Sequence, residues 1–233
     1  MELETEVIYE PGLEDFKAPG AVLIEGLPGV GLVAKTAVAY LLETLGGRRV
    51  CRFYSPYFPT IGYVREGRFI LSFADLYYVE RPRPLLILYG NAQPSSYYGQ
   101  HDFCEKILDV SVGMGVEFVL TLGGYGKESV SEERTIYLSS TRPETIKKAL
   151  EVIEAEAYDG QIIGAAGLLI TMADERGLDN LSMLVEAGEQ APDFQSARSA
   201  VRAVSRFLGL GVETPDIYGI SKAYNSAVQR LEQ

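Results

Sequence analysis

Three stretches of the chain carry apolar residues with no polar alternation, each followed by glycine and then by a different periodicity. Ala21 to Glu25 is the first; the loop Gly26 to Gly31 separates it from a helical pattern beginning at Leu32. In that pattern Val33, Ala37 and Leu41 share a face with Ala34, Val38 and Leu45, which predicts strand, loop, helix. The order recurs at Leu85 to Leu88, followed by a loop to Gly99 and a helix over Asp102 to Val112. It recurs again at Glu117 to Leu122, followed by Gly-Gly-Tyr-Gly at Gly123 to Gly126, which reads as a loop. Strands of this kind are buried on both faces, as in the parallel sheets of α/β proteins.

Between these units, Arg49 to Phe53 reads as a strand, and Ile61 to Val64 with Phe69 to Phe73 reads as a hairpin turning through Arg65 to Arg68. Thr135 to Ser139 is a further strand. Pro143 opens a helix that places Ile146, Leu150 and Ile153 on one face and Lys147, Lys148, Glu151 and Glu154 in solvent. A Gly- and Ala-rich helix follows Gly160 and ends near Gly177, and Leu181 to Glu186 is another buried strand. From Pro192 the pattern is helical: Ala197, Ala200, Val201, Val204 and Leu208 form one stripe, and Ile217, Ile220, Tyr224, Ala227 and Leu231 form a second. Thr214 is the expected N-cap of the second helix, with Pro215 at its first position and Asp216 in its first turn. No linker interrupts the chain, so residues 1–233 are expected to form one α/β domain with the helical segment 192–233 packed on it.

The 233 residues are 47% hydrophobic and 23% charged, enough to bury a sizeable core. Acidic residues number 32 against 21 basic, a formal charge of −11, which argues against nucleic acid and anionic membranes as partners. The longest nearly uncharged run, Ile162 to Ala173, falls short of the roughly 18 to 20 residues that cross a bilayer. The acidic amino terminus lacks the basic and apolar regions of a secretory signal, so a cytoplasmic location is expected. With only Cys51, Cys104 and His101, neither a disulfide framework nor a zinc site is expected, and no metal or cofactor is called for.

The first glycine loop is the chief candidate for chemistry, because it joins the carboxyl end of a strand to the amino end of a helix. It departs from the phosphate-binding P-loop, since Leu32 stands where lysine belongs and Lys35 and Thr36 lie a turn later. Gly29, Gly31 and Ala34 fit the looser dinucleotide pattern, yet the next strand ends in Phe53 and Tyr54 with no carboxylate for a ribose. Two readings stand: a tight turn that lets helix and strand approach, or an anion site. The second would use Gly26, Gly29, Gly31, Gly123 and Gly124, with Glu186 and Asp193 as polar anchors. His101 near Asp102 and Cys104 lacks the remaining parts of a nucleophilic triad, and Asp75 is a further carboxylate placed after a strand. No catalytic residue is assigned. Of 24 aromatic residues, 13 fall between Phe53 and Phe103. The pairs Tyr77, Tyr78 and Tyr97, Tyr98 read as loop positions suited either to a partner surface or to a second layer of core.

Taken together, Gly26 to Leu41, the hairpin after Pro59, Gln93 and Pro94 after a buried strand, Gly123 to Gly126, and Asp159 to Gly188 resemble the proteasome assembly chaperone family. The resemblance spans nearly the whole chain and is closest to archaeal-type homologues. It implies a three-layer α/β/α domain related to nucleoside phosphorylases and peptidyl hydrolases, self-association, and binding to proteasome α subunits or to a homologous chaperone subunit. It implies no established catalytic residues. Two positions depart from the family pattern: Ala166 where asparagine is common, and Ala187 where threonine is usual. Family members that dock on the proteasome end in a hydrophobic residue, a tyrosine and one further residue. Here Leu231, Glu232 and Gln233 keep the hydrophobic position without the tyrosine. Tyr97, Tyr98, Tyr77, Tyr78, Tyr224, Leu231 and Gln233 are thus the candidate partner contacts. The alternative is a phosphorylase- or hydrolase-like enzyme or a nucleotide- or anion-binding protein that uses Gly26 to Gly31.

Overall fold

Every residue of the strand Ala21–Gly26 is buried, because both faces are covered by helices, and this is why the segment shows no polar alternation. The structure is a computed structural model and describes residues 4–188 and 190–231. In chain order its elements are β1 (Glu6–Tyr9), β2 (Ala21–Gly26), α1 (Val33–Leu45), β3 (Arg48–Tyr54), β4 (Tyr63–Arg65), β5 (Arg68–Ile70), β6 (Ala74–Val79) and β7 (Leu85–Gly90). There follow α2 (Tyr97–Met114), β8 (Val116–Gly126), β9 (Ile136–Ser139), α3 (Pro143–Val152), β10 (Glu156–Ala157), α4 (Ala165–Glu175), β11 (Asp179–Ala187), α5 (Phe194–Leu208) and α6 (Ile217–Leu231).

Nine strands form one sheet in the order β1-β3-β6-β7-β2-β8-β11-β9-β10, with β4 and β5 as a separate hairpin. Its centre, β7-β2-β8-β11, is wholly parallel. Antiparallel pairs join β1, β3, β6 and β7 on one flank and β11 and β9 on the other. Val22 and Ile24 of β2 face a core shared with α1, α5 and α6, whereas Ala21 and Leu23 face a second core shared with α2 and α4. These are the three layers expected, with the carboxyl-terminal helices packed on the α1 side.

Local chemistry sets the ends of the helices. Ser96 accepts from the Gly99 amide (3.1 Å) and starts α2 at Tyr97, earlier than its apolar periodicity predicts. Asp193 caps α5 through the Ser196 amide (3.0 Å). The cap of α6 is Asp216, which accepts from the Gly219 amide (2.6 Å), so the expected Thr214 cap is displaced by two residues. The β4–β5 hairpin turns on Glu66 and Gly67, both at positive φ (49° and 77°), the conformation of a two-residue type I′ turn.

Three further expectations are corrected, and one strand is added. Gly123 to Gly126 is not a loop but the end of β8, in register with Leu184 to Ala187 of β11. A side chain at Gly124 would meet the Val30 carbonyl oxygen at 2.3 Å, so glycine here serves close passage of another backbone over a strand. Residues 74–79 form β6, so Asp75, Tyr77 and Tyr78 lie within a strand instead of beyond one. On α3 the buried positions are Thr145 and Ala149, while Leu150 is 41% exposed. The amino-terminal segment supplies β1 on the sheet edge, a strand its mixed pattern did not announce.

Candidate functional site

The carboxyl ends of β2, β8 and β11 open on one side of the sheet, where parallel α/β sheets place their ligand crevices. Gly26 ends β2 flat against α1: a Cβ there would lie 2.2 Å from Val38 Cγ2. The chain then runs through Leu27, Pro28 and Gly29 into a single 3-10 turn, Val30–Leu32, in which Gly31 and Leu32 both have positive φ (60° and 50°). For leucine this backbone is strained, and the turn is held because the Gly31 carbonyl accepts from the Asp193 amide at 2.8 Å. Gln93 fixes the loop from the other side. Its Nε2 donates to the Pro28 carbonyl at 2.5 Å, and its Oε1 accepts from the Ala165 amide at the start of α4 (3.3 Å) and from Gln100 Nε2 (3.2 Å).

These ties enclose a cavity of about 390 Å³ between the 27–30 loop and the segment 161–166. Leu27, Leu122, Leu184, Ile162 and Ala166 give it an apolar lining, and Tyr125 and Tyr158 form part of its wall. Among the described residues, Glu25 is the single charged one lining it. That carboxyl is 2% exposed; Oε1 accepts from the Leu27 amide at 2.7 Å, whereas Oε2 has no hydrogen-bond partner. Burial pushes its pKa up to about 7, against the opposing pull of the Leu27 and Leu122 amides. Thr121 stands beside it on β8, and Ser182 stands beside Thr121 on β11. Both hydroxyls are buried without partners, so a row of unsatisfied oxygens crosses three strands under α4.

A second constellation lies next to the first. Glu186 forms an ion pair with Lys127 (3.0 Å) and accepts from the Ser131 and Thr135 amides (3.2 and 3.3 Å). Burial would raise its pKa, but these donors outweigh it and lower the value to about 2. Lys127 also donates to the Tyr137 hydroxyl (2.9 Å), and Tyr125, Tyr137 and Tyr158 pack edge to face. Asp193 accepts from the Gly188 and Ser196 amides (both 3.0 Å) and pairs with Arg134 at 3.6 Å. Its pKa is lowered despite burial, through those amides and the Arg134 charge. On the antiparallel flank, Asp75 is fully buried and held in a bidentate pair with Arg52 (2.6 and 2.7 Å), with Arg49 at 3.3 Å. All three carboxylates are engaged in structural ties.

The candidates from the sequence therefore separate. Gly29, Gly123 and Gly124 line the cavity; Gly26 packs on α1; Gly31, Glu186 and Asp193 gather around the start of α5. Tyr97 and Tyr98 project from the first turn of α2, 82% and 59% exposed, with Tyr97 against His101 and Tyr98 against Tyr57. Tyr77 is 5% exposed and donates to Asp75 (3.2 Å), so its ring belongs to the core, and Tyr78 is half-buried between Phe16 and Arg48. Tyr224 is half-buried against Phe194; Leu231 closes α6, and Gln233 lies outside the described residues. Sequence reasoning missed Glu25, whose signal was a lone acid ending an apolar run. It also missed the exposed apolar positions of the hairpin region, Ile61, Val64, Phe69 and Leu71, which are 57 to 79% exposed. Among the described residues no cluster of His, Cys, Asp and Glu could hold a metal ion, and no helix is long and apolar enough to cross a membrane.

The profile of the PAC2 family matches residues 23–232. The chain belongs to the PAC2 family. It is 28% identical over 215 residues to an uncharacterized protein of Methanocaldococcus jannaschii, covering 91% of this chain and 83% of that one. Among solved structures it is similar to Pyrococcus furiosus PbaB, described as an archaeal proteasome activator, with a TM-score of 0.83 and 28% identity over 99% of this chain and 98% of PbaB. P. furiosus PbaA, described as an archaeal homologue of proteasome-assembly chaperone, matches in fold with a TM-score of 0.78 and 21% identity, covering 98% of this chain and 91% of PbaA. PAC2 membership and these likenesses agree with the resemblance drawn from the sequence, and the mixed sheet with helices on both faces is the fold of PAC2 structures.

Proposed function

We propose that this PAC2 protein is a cytoplasmic, self-associating chaperone or activator of the proteasome type, which binds proteasome α subunits or a homologous chaperone subunit. The observation that carries this reading is the likeness to PbaB, which covers 99% of this chain and 98% of PbaB. Two surface features support it. The region around the β4–β5 hairpin offers Ile61, Val64, Phe69 and Leu71 to solvent, and the start of α2 offers Tyr97 and Tyr98. Isolated exposed apolar residues are ordinary, but a run of four around one hairpin is the kind of patch that protein partners cover.

The test is reconstitution. Purified protein is mixed with α subunits and with assembled proteasomes of its source at moderate salt, and complexes are resolved by native mass spectrometry and size exclusion. A defined complex is expected, together with either faster ring formation or raised peptidase activity. Phe69→Ser with Leu71→Ser, or Tyr97→Ser with Tyr98→Ser, should weaken it without changing the unfolding transition. Absence of any complex with α subunits or assembled particles, together with unchanged assembly and peptidase activity, would falsify the proteasome reading.

A further inference from the structure

We propose that the cavity above Glu25 is a binding site for small primary amines, with the ammonium group against the free Glu25 oxygen and the apolar body among Leu27, Leu122, Ile162 and Leu184. The site is built from separate parts of the chain and does not depend on any proteasome role. Its volume, about 390 Å³, lies within the range of small-molecule pockets, and a mostly apolar lining with a few fixed polar groups, here Glu25 and Gln93, is the usual composition of such pockets.

The choice of a cation follows from charge. Among the described residues lining the cavity, Glu25 alone is charged, and none of them is a basic side chain that could neutralise an anion. The nearby Lys127 is already held by Glu186 and the Tyr137 hydroxyl. On the α2 side the titratable group coupled to Glu25 is Cys104, whose thiol is pushed up, first by burial and then by the Glu25 charge, and stays neutral. Thr121 and Leu88 flank Glu25 on the neighbouring strands and carry no charge. Tyr125 and Tyr158 present aromatic rings at the wall, a surface that attracts cations. The glycines that resembled an anion cradle are explained otherwise: Gly124 faces the Val30 carbonyl, an oxygen that repels an anion.

A buried carboxyl with one unpartnered oxygen is costly, and an ammonium donor would satisfy it. Occupancy should also ionise Glu25. No covalent step is involved; the acid gives its proton to solvent and the bound pair is neutral overall.

The test uses the full chain with butylamine, cyclohexylamine and phenethylamine as probes, and the matching alcohols and inorganic phosphate as controls. Thermal unfolding and calorimetry are run from pH 5 to 9, where these amines stay protonated. The amines should raise the melting temperature, and alcohols and phosphate should not. Affinity should increase about tenfold per pH unit up to roughly 7 and then level off, with proton release below that point. Glu25→Gln should weaken amine binding at least about tenfold. Ala166→Leu, which fills the cavity and leaves Glu25 in place, should do the same and serves if the first variant folds poorly. The proposal is overturned if no amine binds, if alcohols bind as tightly as amines, if phosphate stabilises in their place, or if Glu25→Gln binds amines like the parent.

Discussion

Alanine at Gly26 tests whether the first glycine turn exists for packing. The added Cβ would sit 2.2 and 2.4 Å from the two Val38 methyls and 2.8 Å from Val38 Cβ. Rotating Val38 moves its methyls, but the contact with Cβ remains, so α1 must retreat from β2. Because α1 also packs on α5 and α6, the retreat disturbs the larger core. Overpacking of this kind costs about 1 to 3 kcal/mol, and a contact that no rotamer relieves belongs near the top of that range. For a chain of this size, about 3 kcal/mol lowers the melting temperature by roughly 6 to 12 °C. Gly29 provides the control: its φ of −151° is ordinary extended backbone and nothing lies within 4 Å of its added Cβ, so Gly29→Ala should stay within about 0.5 kcal/mol of the parent. Val38→Ala alone should cost about 2 kcal/mol through two lost methyl groups and the space they leave. Combined with Gly26→Ala it should show a favourable coupling of about 1 to 2 kcal/mol, because the new methyl enters the vacated space. Urea unfolding followed by circular dichroism on the four proteins measures the cycle. Equal stability of the Gly26→Ala and Gly29→Ala variants, or strict additivity with Val38→Ala, would refute the reasoning.

Glu25 makes a prediction for pH. Its folded pKa of about 7 exceeds the ordinary 4.5, so the folded state binds the proton more tightly, and this group's contribution to stability is present below 4.5 and is lost as pH rises to about 7. The loss is about 3 kcal/mol, and Glu25→Gln should remove it, so the variant gains on the parent by that amount between pH 4.5 and 8 in urea titrations. Glu186 acts with the opposite sign: its lowered pKa means a contribution held above 4.5 and lost as pH falls toward about 2, which Glu186→Gln should abolish in an acid-unfolding curve. Asp75→Ala leaves Arg52 without its bidentate partner inside the protein and should cost about 3 kcal/mol in chemical denaturation, with no specific effect on partner binding beyond that loss. Asp193→Ala removes the α5 cap and should cost about 2 kcal/mol, while Asp193→Asn keeps the cap and should cost less by the same measurement.

The α/β/α architecture was legible because burial leaves a direct imprint on residue type. Strands covered on both faces, such as Ala21–Gly26 and Leu85–Gly90, are apolar at nearly every position, Glu25 being the exception, and α5 must repeat its apolar residues at helical spacing to lie on the sheet. Glycine at 26 likewise pointed to a tight turn that lets helix and strand approach, whereas the glycines at 123, 124 and 126 read as a loop and instead end β8. What the sequence left open depended on distant partners. Tyr77 looks like any other tyrosine until β6 pairs with β3 and β7 and turns its hydroxyl toward Asp75. Glu25 is one acid at the end of an apolar run until loop 27–30, Gln93, β8 and the start of α4 close over it from four places along the chain. Local pattern fixes which residues avoid water, because that is a property of each side chain; which of them meet, and which polar atom is left without a partner, is decided by contacts between segments far apart in sequence.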